Sequence, residues 1–247
     1  MKKYIPNLIT LLNVFCGCIA TVFAVSSQLE MAALFVCLGI FFDFFDGLAA
    51  RMLRVQSELG VQLDSLADMI TSGLVPGIVM FQLLGMSTNG GWNASDGPIF
   101  TFEGISGLLP FLGFLITLGS AYRLAKFNID ENQVSSFVGL PTPANALLIL
   151  SLPLILLYQN NDALNGIILN EWFLIFMTVV STYLLNANIE LFALKFKTWN
   201  FKDNALRYIF LVVSAVLLLT LKFLAVPFII VFYVVASLVS NLGTSKS

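Results

Sequence analysis

The 247-residue chain contains no histidine. That absence excludes imidazole general bases, histidine metal ligands and histidine pH switches. Charge is scarce as well. Charged residues make up 11% of the chain, whereas a soluble globule carries roughly 25%. The 12 Lys+Arg against 14 Asp+Glu leave a net charge of -2, which excludes a basic surface for nucleic acid. Cysteine is rare. Cys16, Cys18 and Cys37 all lie in apolar runs, where free cysteine behaves as a small hydrophobe. Cys16-x-Cys18 without further ligands is a poor start for zinc.

What fills the chain instead is apolar residue, 58% of the total. This predicts an all-α, polytopic integral membrane bundle with little mass outside the bilayer. A spanning helix needs about 20 apolar residues. Eight spans are predicted, at approximately 6–26, 30–53, 61–85, 106–127, 142–158, 171–188, 206–222 and 225–241. Only Lys222 and Pro227 punctuate the last two, which read as a tight helical hairpin. The first run follows Lys2 and Lys3 and ends near Ala24-Val25-Ser26, as a signal peptide would. Its length and its Asn7, Thr10 and Asn13 predict a retained first span.

Orientation follows from Lys and Arg. With the N-terminus in the cytoplasm, Lys2, Lys3, Arg51, Arg54, Arg123, Lys126, Lys195, Lys197, Lys202, Arg207 and Lys246 all fall at cytoplasmic ends, and only Lys222 does not. Losing one internal span would invert everything after it, so this bias also supports eight. The external loops 86–105 and 159–170 carry no recognisable motif. No organelle-targeting segment is seen, and the expected location is a bacterial inner membrane.

Four aspartates stand where a lipid-embedded chain should have none: Asp43-x2-Asp46-Gly47-x2-Ala50-Arg51-x8-Gly60-x3-Asp64-x3-Asp68. Each charge costs about 2.5–3.5 kcal/mol on insertion scales. At 100° per residue, Asp43, Gly47, Ala50 and Arg54 share a face of the second helix with Asp46 at its margin, and Gly60, Asp64 and Asp68 line a face of the third. The short link 54–60 makes these helices neighbours. Converging carboxylates repel one another unless divalent cations intervene, and oxygen-only ligation suits Mg²⁺ or Mn²⁺. Two such ions can clamp phosphate oxygens during an in-line displacement. Gly47, Ala50 and Gly60 leave room for phosphates or for close helix contact, and Arg51 could offset phosphate charge. The bland alternative is a structural one, in which Asp43 and Asp46 pair with Arg51 and Arg54 and merely join two helices.

This pattern resembles the signature of the CDP-alcohol phosphatidyltransferase family at every defined position. The resemblance implies a transferase acting on a CDP-linked lipid or alcohol. It implies a six-helix core, here 1–190, with 191–247 as a C-terminal helical hairpin extension, and a homodimer. It also implies a two-metal site formed by Asp43, Asp46, Asp64 and Asp68, with Asp68 as catalytic base, and CDP-diacylglycerol seated by Gly47, Ala50, Arg51 and Gly60. Three further segments look like the phosphatidylserine synthase branch. They are Pro6-Asn7-Leu8-Ile9-Thr10 with Asn13, Ala121-Tyr122-Arg123-Leu124-Ala125-Lys126-Phe127-Asn128, and Phe137-Val138-Gly139-Leu140-Pro141-Thr142-Pro143-Ala144. That likeness implies L-serine as acceptor, with Arg123, Lys126, Pro141 and Thr142 as candidate contacts. The branch more often has Arg where Lys126 stands, so a bidentate fork is lost there. Other readings are a sister enzyme using glycerol-3-phosphate or inositol phosphate, a cation-coupled transporter, and a membrane scaffold. Transport sites lie near the bilayer midplane on broken helices, whereas these acids sit beside positive-inside arginines. A scaffold would not need four membrane acids.

Overall fold

The computed structural model describes residues 4–88, 105–129, 137–159, 161–192 and 201–244. Lys2, Lys3, Lys195, Lys197 and Lys246 lie outside the described residues, as does most of loop 86–105.

Pro6 opens α1 (Ile5–Val25), where a missing N–H costs nothing. A tight turn leads into α2 (Leu29–Leu53), which ends where Arg54 turns left-handed at φ 55°. Ser57 then caps α3 (Glu58–Asp68), its Oγ accepting the Gly60 N–H at 3.1 Å. A six-residue π-helical turn, Met69–Leu74, joins α3 to α4 (Val75–Thr88). The sequence predicted one regular span here. Pro76 explains the difference. It has no N–H to offer the preceding turn and its ring crowds that turn's carbonyl, so a wider turn relieves the conflict.

A 3₁₀ stretch, Ile105–Gly113, leads into α5 (Phe114–Ile129). Then come α6 (Thr142–Tyr158), the short α7 (Asp162–Ile168), α8 (Glu171–Asn186), α9 (Phe201–Leu221) and α10 (Ala225–Thr244). Asn161 and Asn170 cap α7 and α8 through their side-chain oxygens. The one departure from helix among the described residues is a two-residue antiparallel clip, β1 (Phe137–Val138) against β2 (Glu190–Leu191).

The helices run alternately between two polar ends. At one end, Gln82 donates to the carbonyls of Ala24 and Val25 at 3.0 and 3.1 Å. There Tyr158 also bonds Glu30, and Gln159 donates to the Leu221 carbonyl at 2.6 Å. At the other end lie the tails of α2, α5, α8 and α10 and the starts of α3 and α6. Asn241 of α10 reaches the Glu190 carbonyl there at 2.7 Å. The hairpin read at Lys222 is present. Phe210 stacks on Phe232 at 5.8 Å, yet a straight helix would hold them about 33 Å apart. The chain reverses at Lys222, φ 52°, and the 3₁₀ turn Lys222–Leu224.

Thus eight apolar helices stand where eight spans were predicted. By length and composition alone, five stretches qualify as membrane-crossing, with Asn204–Asn241 counted as one. The bent pair α7 and α8, at 60°, would make six, while α6 falls short at 17 residues. The chain is an integral membrane protein. The stretch Glu58–Thr88 is its axis, 78% buried across its apolar window. Val79, Met80, Leu83 and Leu84 of α4 meet Ile149 and Leu152 of α6 in the core.

Close approach to that axis depends on two glycines. A Cβ on Gly39 would lie 2.6 Å from Thr71 Cγ2 and 2.7 Å from Asn13 Oδ1, and one on Gly17 would lie 2.6 Å from Thr71 Oγ1. Overpacking of this kind typically costs about 1–3 kcal/mol. Gly39→Leu should therefore lower the melting temperature in detergent by several degrees. Gly166→Ala, where nothing lies within 4 Å, should be neutral or slightly stabilising. Equal losses at both positions would refute this packing argument.

Candidate functional site

The αL turn at Arg54 and the Ser57 cap turn the chain back so that α3 packs on α1. This brings the carboxylates of Asp43, Asp46 and Asp64 together, with one oxygen of each within 4.8 Å of the others. They face a cavity of about 510 Å³ lined also by Thr10, Gly47, Ala50, Arg51, Gly60 and Ser57. Asp46 is only 4% exposed, and its Oδ2 is buried with no hydrogen-bond partner.

Asp68, one helical turn beyond Asp64, stands outside this trio. Thr142 at the start of α6 donates to its Oδ2 at 3.2 Å, and Asn13 of α1 flanks it. The Asn13 amide has a defined orientation. Its Oδ1 accepts from Thr71 Oγ1 at 2.7 Å, which leaves Nδ2 buried and unbonded beside the aspartate. Thr71 sits in the π-helical turn, so the widened turn and the setting of Asp68 are directly linked. On the other side of α3, Ser65 donates to Asn128 Oδ1 at 3.0 Å, and Asn128 donates to Gln62 at 3.2 Å. These bonds dock α3 on α5. Thr71 was not singled out in the sequence, Asn13 was named there only as a polar residue of the first span and beside the Pro6–Thr10 segment, and Asn128 only inside a longer segment.

Among the described residues, no arginine or lysine is bonded to any of the four aspartates. Arg51 turns to its own helix, Nε donating to the Gly47 carbonyl at 2.9 Å. Arg54 ends α2 through its left-handed backbone. The arrangement thus lacks the Asp–Arg pairs that a purely structural reading requires. Three carboxylates packed this closely without a protein cation have the chemistry of a divalent-cation site. The all-oxygen donor set and the orphaned Asp46 oxygen fit a hard ion such as Mg²⁺ or Mn²⁺. Gly47 has open space, since a Cβ there would meet nothing nearer than Arg51 Nη2 at 3.7 Å. Gly60 is tighter, with Ser57 Oγ at 3.3 Å.

The other predicted residues lie beside this centre. Arg123 is 9% exposed and holds the loop before α6, its Nε donating to the Leu140 carbonyl at 2.7 Å and Nη2 to the Gly139 carbonyl at 3.4 Å. Lys126 is exposed one turn later. Both line a polar pocket of about 160 Å³. Pro141 caps α6 and puts Thr142 against Asp68. Pro141 also borders a separate apolar crevice of about 480 Å³ between α6, α9 and α10.

The CDP-alcohol phosphatidyltransferase profile matches residues 3–184. A CDP-diacylglycerol–serine O-phosphatidyltransferase of Bacillus subtilis is 35% identical over 145 residues, covering 57% of this chain and 70% of that protein. One from Helicobacter pylori is 32% identical over 208 residues, covering 83% and 79%. One from Saccharomyces cerevisiae is 31% identical over 165 residues, covering 60% and 53%. The chain belongs to the CDP-alcohol phosphatidyltransferase family and is an enzyme.

If the trio holds a cation, Mn²⁺ added to purified protein should give an immobilised electron paramagnetic resonance signal. Loss of an outer partner alone typically costs a metal site 10–100-fold in affinity. Asp46→Asn or Asp64→Asn should therefore weaken binding by about tenfold or more. Wild-type affinity in both variants would remove the trio as a metal site.

Proposed function

We propose that this enzyme transfers the phosphatidyl group of CDP-diacylglycerol to the hydroxyl of L-serine, giving phosphatidylserine and CMP. The observation that carries the reading is the carboxylate trio facing a cavity of about 510 Å³, in a chain whose relatives bear the name of that reaction.

Asp43, Asp46, Asp64 and Asp68 would hold the divalent ions, two of Mg²⁺ or Mn²⁺, whose bound charge would neutralise phosphate oxygens. The residues of the chain do the rest. Gly47 and Ala50 keep the α2 wall of the cavity low, and Gly60 does the same on α3. Arg51, steadied on the Gly47 carbonyl, presents its remaining N–H groups to the pyrophosphate. Asp68 takes the proton from the serine hydroxyl, with Thr142 bonded to its carboxylate and the Asn13 amide beside it. The serine oxygen bonds to the lipid-proximal phosphorus as that atom's bond to the oxygen bridging to CMP breaks. CMP leaves with the bridging oxygen. Arg123 and Lys126 supply positive charge for the serine carboxylate, and Pro141 fixes the loop between them and Thr142. The chain works as a homodimer in a bacterial inner membrane, with its N-terminus and the aspartates facing the cytoplasm. The core is 1–190, and 191–247 is the hairpin extension.

Acceptor-resolved CMP release in detergent tests this reading. Purified protein with CDP-diacylglycerol should release CMP with L-serine, and not with glycerol-3-phosphate or inositol phosphate. Turnover with glycerol-3-phosphate and none with serine would replace the reading by that of a sister enzyme. Release without any gradient already separates catalysis from transport. Chelator should abolish activity, and Mg²⁺ or Mn²⁺ should restore it. A general base contributes about 10²–10⁴-fold. Asp68→Ala should fall within that loss, and Asp64→Ala should lose at least as much. A folded Asp64→Ala enzyme with near-normal turnover would refute the metal role.

A further inference from the structure

The matched family profile ends at residue 184, before the C-terminal hairpin of α9 and α10 begins. α10 is mostly apolar, yet Tyr233, Ser237 and Asn241 recur on it at every fourth residue and so share one face. Polar groups in a membrane helix are expensive unless they meet protein. These three meet the backbone of one short segment. Tyr233 Oη donates to the Phe192 carbonyl at 2.9 Å, and Asn241 Nδ2 donates to the Glu190 carbonyl at 2.7 Å. Ser237 Oγ accepts the Phe192 N–H at 3.4 Å and donates to the Tyr233 carbonyl at 2.7 Å. The rings of Phe192, Phe210 and Tyr233 stand 4.9 to 5.6 Å apart by centroid, which ties the segment to both helices of the hairpin.

The segment held in this way is the extended tail of α8, and the loop before α6 rests on it. Glu190 and Leu191 pair with Val138 and Phe137. The Gly139 N–H donates to the Ile189 carbonyl at 2.9 Å, and the Leu140 N–H to the Leu184 carbonyl at 2.8 Å. Gly139 adopts φ 74°, and a Cβ there would lie 2.5 Å from the Leu185 carbonyl oxygen. Only glycine therefore lets the loop lie this close to the end of α8. Leu140 and Leu191 are buried together with Ile230 of α10 in a second apolar cluster. Two residues after Leu140, Thr142 donates to Asp68 at 3.2 Å. Arg123 grips the same loop from α5, so the hairpin supplies the second of two grips.

We propose that the hairpin is a clamp on the partner of Asp68. Tyr233, Ser237 and Asn241 fix the tail of α8, the tail fixes residues 137–140, and that loop holds Thr142 on Asp68. The three α10 side chains are positioning residues and touch no substrate. The proposal rests on the reading of Asp68 as the base given above.

The double variant Tyr233→Phe/Ser237→Ala keeps the ring and removes both hydroxyls. In the full chain in detergent, hydrogen–deuterium exchange across 137–141 should become faster, with 43–68 unchanged. CMP release should show kcat lowered by about tenfold, the size of one or two lost hydrogen bonds. The KM for CDP-diacylglycerol and the affinity for Mn²⁺ should stay the same. Thr142→Val should lower kcat by a similar factor. Because both changes act through one contact, combining them should cost no more than Thr142→Val alone. Losses that multiply, as two unrelated weakenings of the fold would give, overturn the proposal. Unchanged exchange across 137–141 overturns it too, as does faster exchange with wild-type kcat. Should the double variant not fold, Tyr233→Phe alone, with an expected loss of about threefold, goes through the same cycle. Near-normal turnover in Asp68→Ala would instead overturn the base reading, whereas an Asp68-dependent enzyme whose cycle shows no coupling overturns the clamp alone.

Discussion

The structure depends on holding like charges together inside an apolar bundle. Asp43, Asp46 and Asp64 approach within 4.8 Å, where their repulsion in a medium of low polarity is severe. Among the described residues no arginine or lysine is bonded to the trio, and Arg51 directs its Nε to the Gly47 carbonyl instead. Rigid packing from behind holds the three in place. The packing is visible in the glycine contacts of α1 and α2 against Thr71. Lipid gives no hydrophobic drive to helix association, so small residues and backbone proximity must supply the fit.

That packing explains why the π-helical turn sits where it does. It follows Asp68 directly and places Thr71 between α1 and α2. A regular helix would rotate Thr71 away from Asn13 and so release the amide beside Asp68. Pro76 prevents a regular turn and so fixes the rotation. A backbone irregularity near the middle of the most buried helix thereby serves the chemistry at its start.

The sequence made the acidic pattern legible because helical periodicity is strict. Asp43 and Asp46 on one helix and Asp64 on the next could be placed on facing surfaces from spacing and a short link alone. The reversal at Lys222 was legible for a similar reason, as a lone charge and a nearby proline interrupt a long apolar run. The fold class followed from composition, since backbone groups in lipid must be satisfied within helices or closed barrels. What could not be read were contacts whose partners lie far apart in the chain and carry no periodic mark. Thr71 finds Asn13 across 58 residues. Arg123 read as a candidate serine contact at a cytoplasmic end, yet it is buried and bonded to carbonyls of a loop, and no side-chain pattern reports on carbonyls. Tyr233, Ser237 and Asn241 lay unremarked in a predicted apolar span, although polar residues in such a span are themselves a signal.

The two ends of the bundle use polarity differently. At the end away from the aspartates, Gln82 and Gln159 donate to the last carbonyls of α1 and α9, which no helical bond can satisfy. Those bonds are neutral and stabilise the ends of the helices they meet, while Gln82 Oε1 and Gln159 Oε1 are themselves buried without a partner. At the aspartate end, Asp46 Oδ2, Asn13 Nδ2 and both polar atoms of the Asn145 amide are buried without a partner. A chain with so few charged residues could have filled those positions with apolar side chains of similar volume, and buried polar groups replaced in that way are often neutral or stabilising. Among the described residues, such unpartnered atoms lie at both ends of the bundle. At the aspartate end alone, among the described residues, they stand beside a cluster of three carboxylates facing a cavity of about 510 Å³.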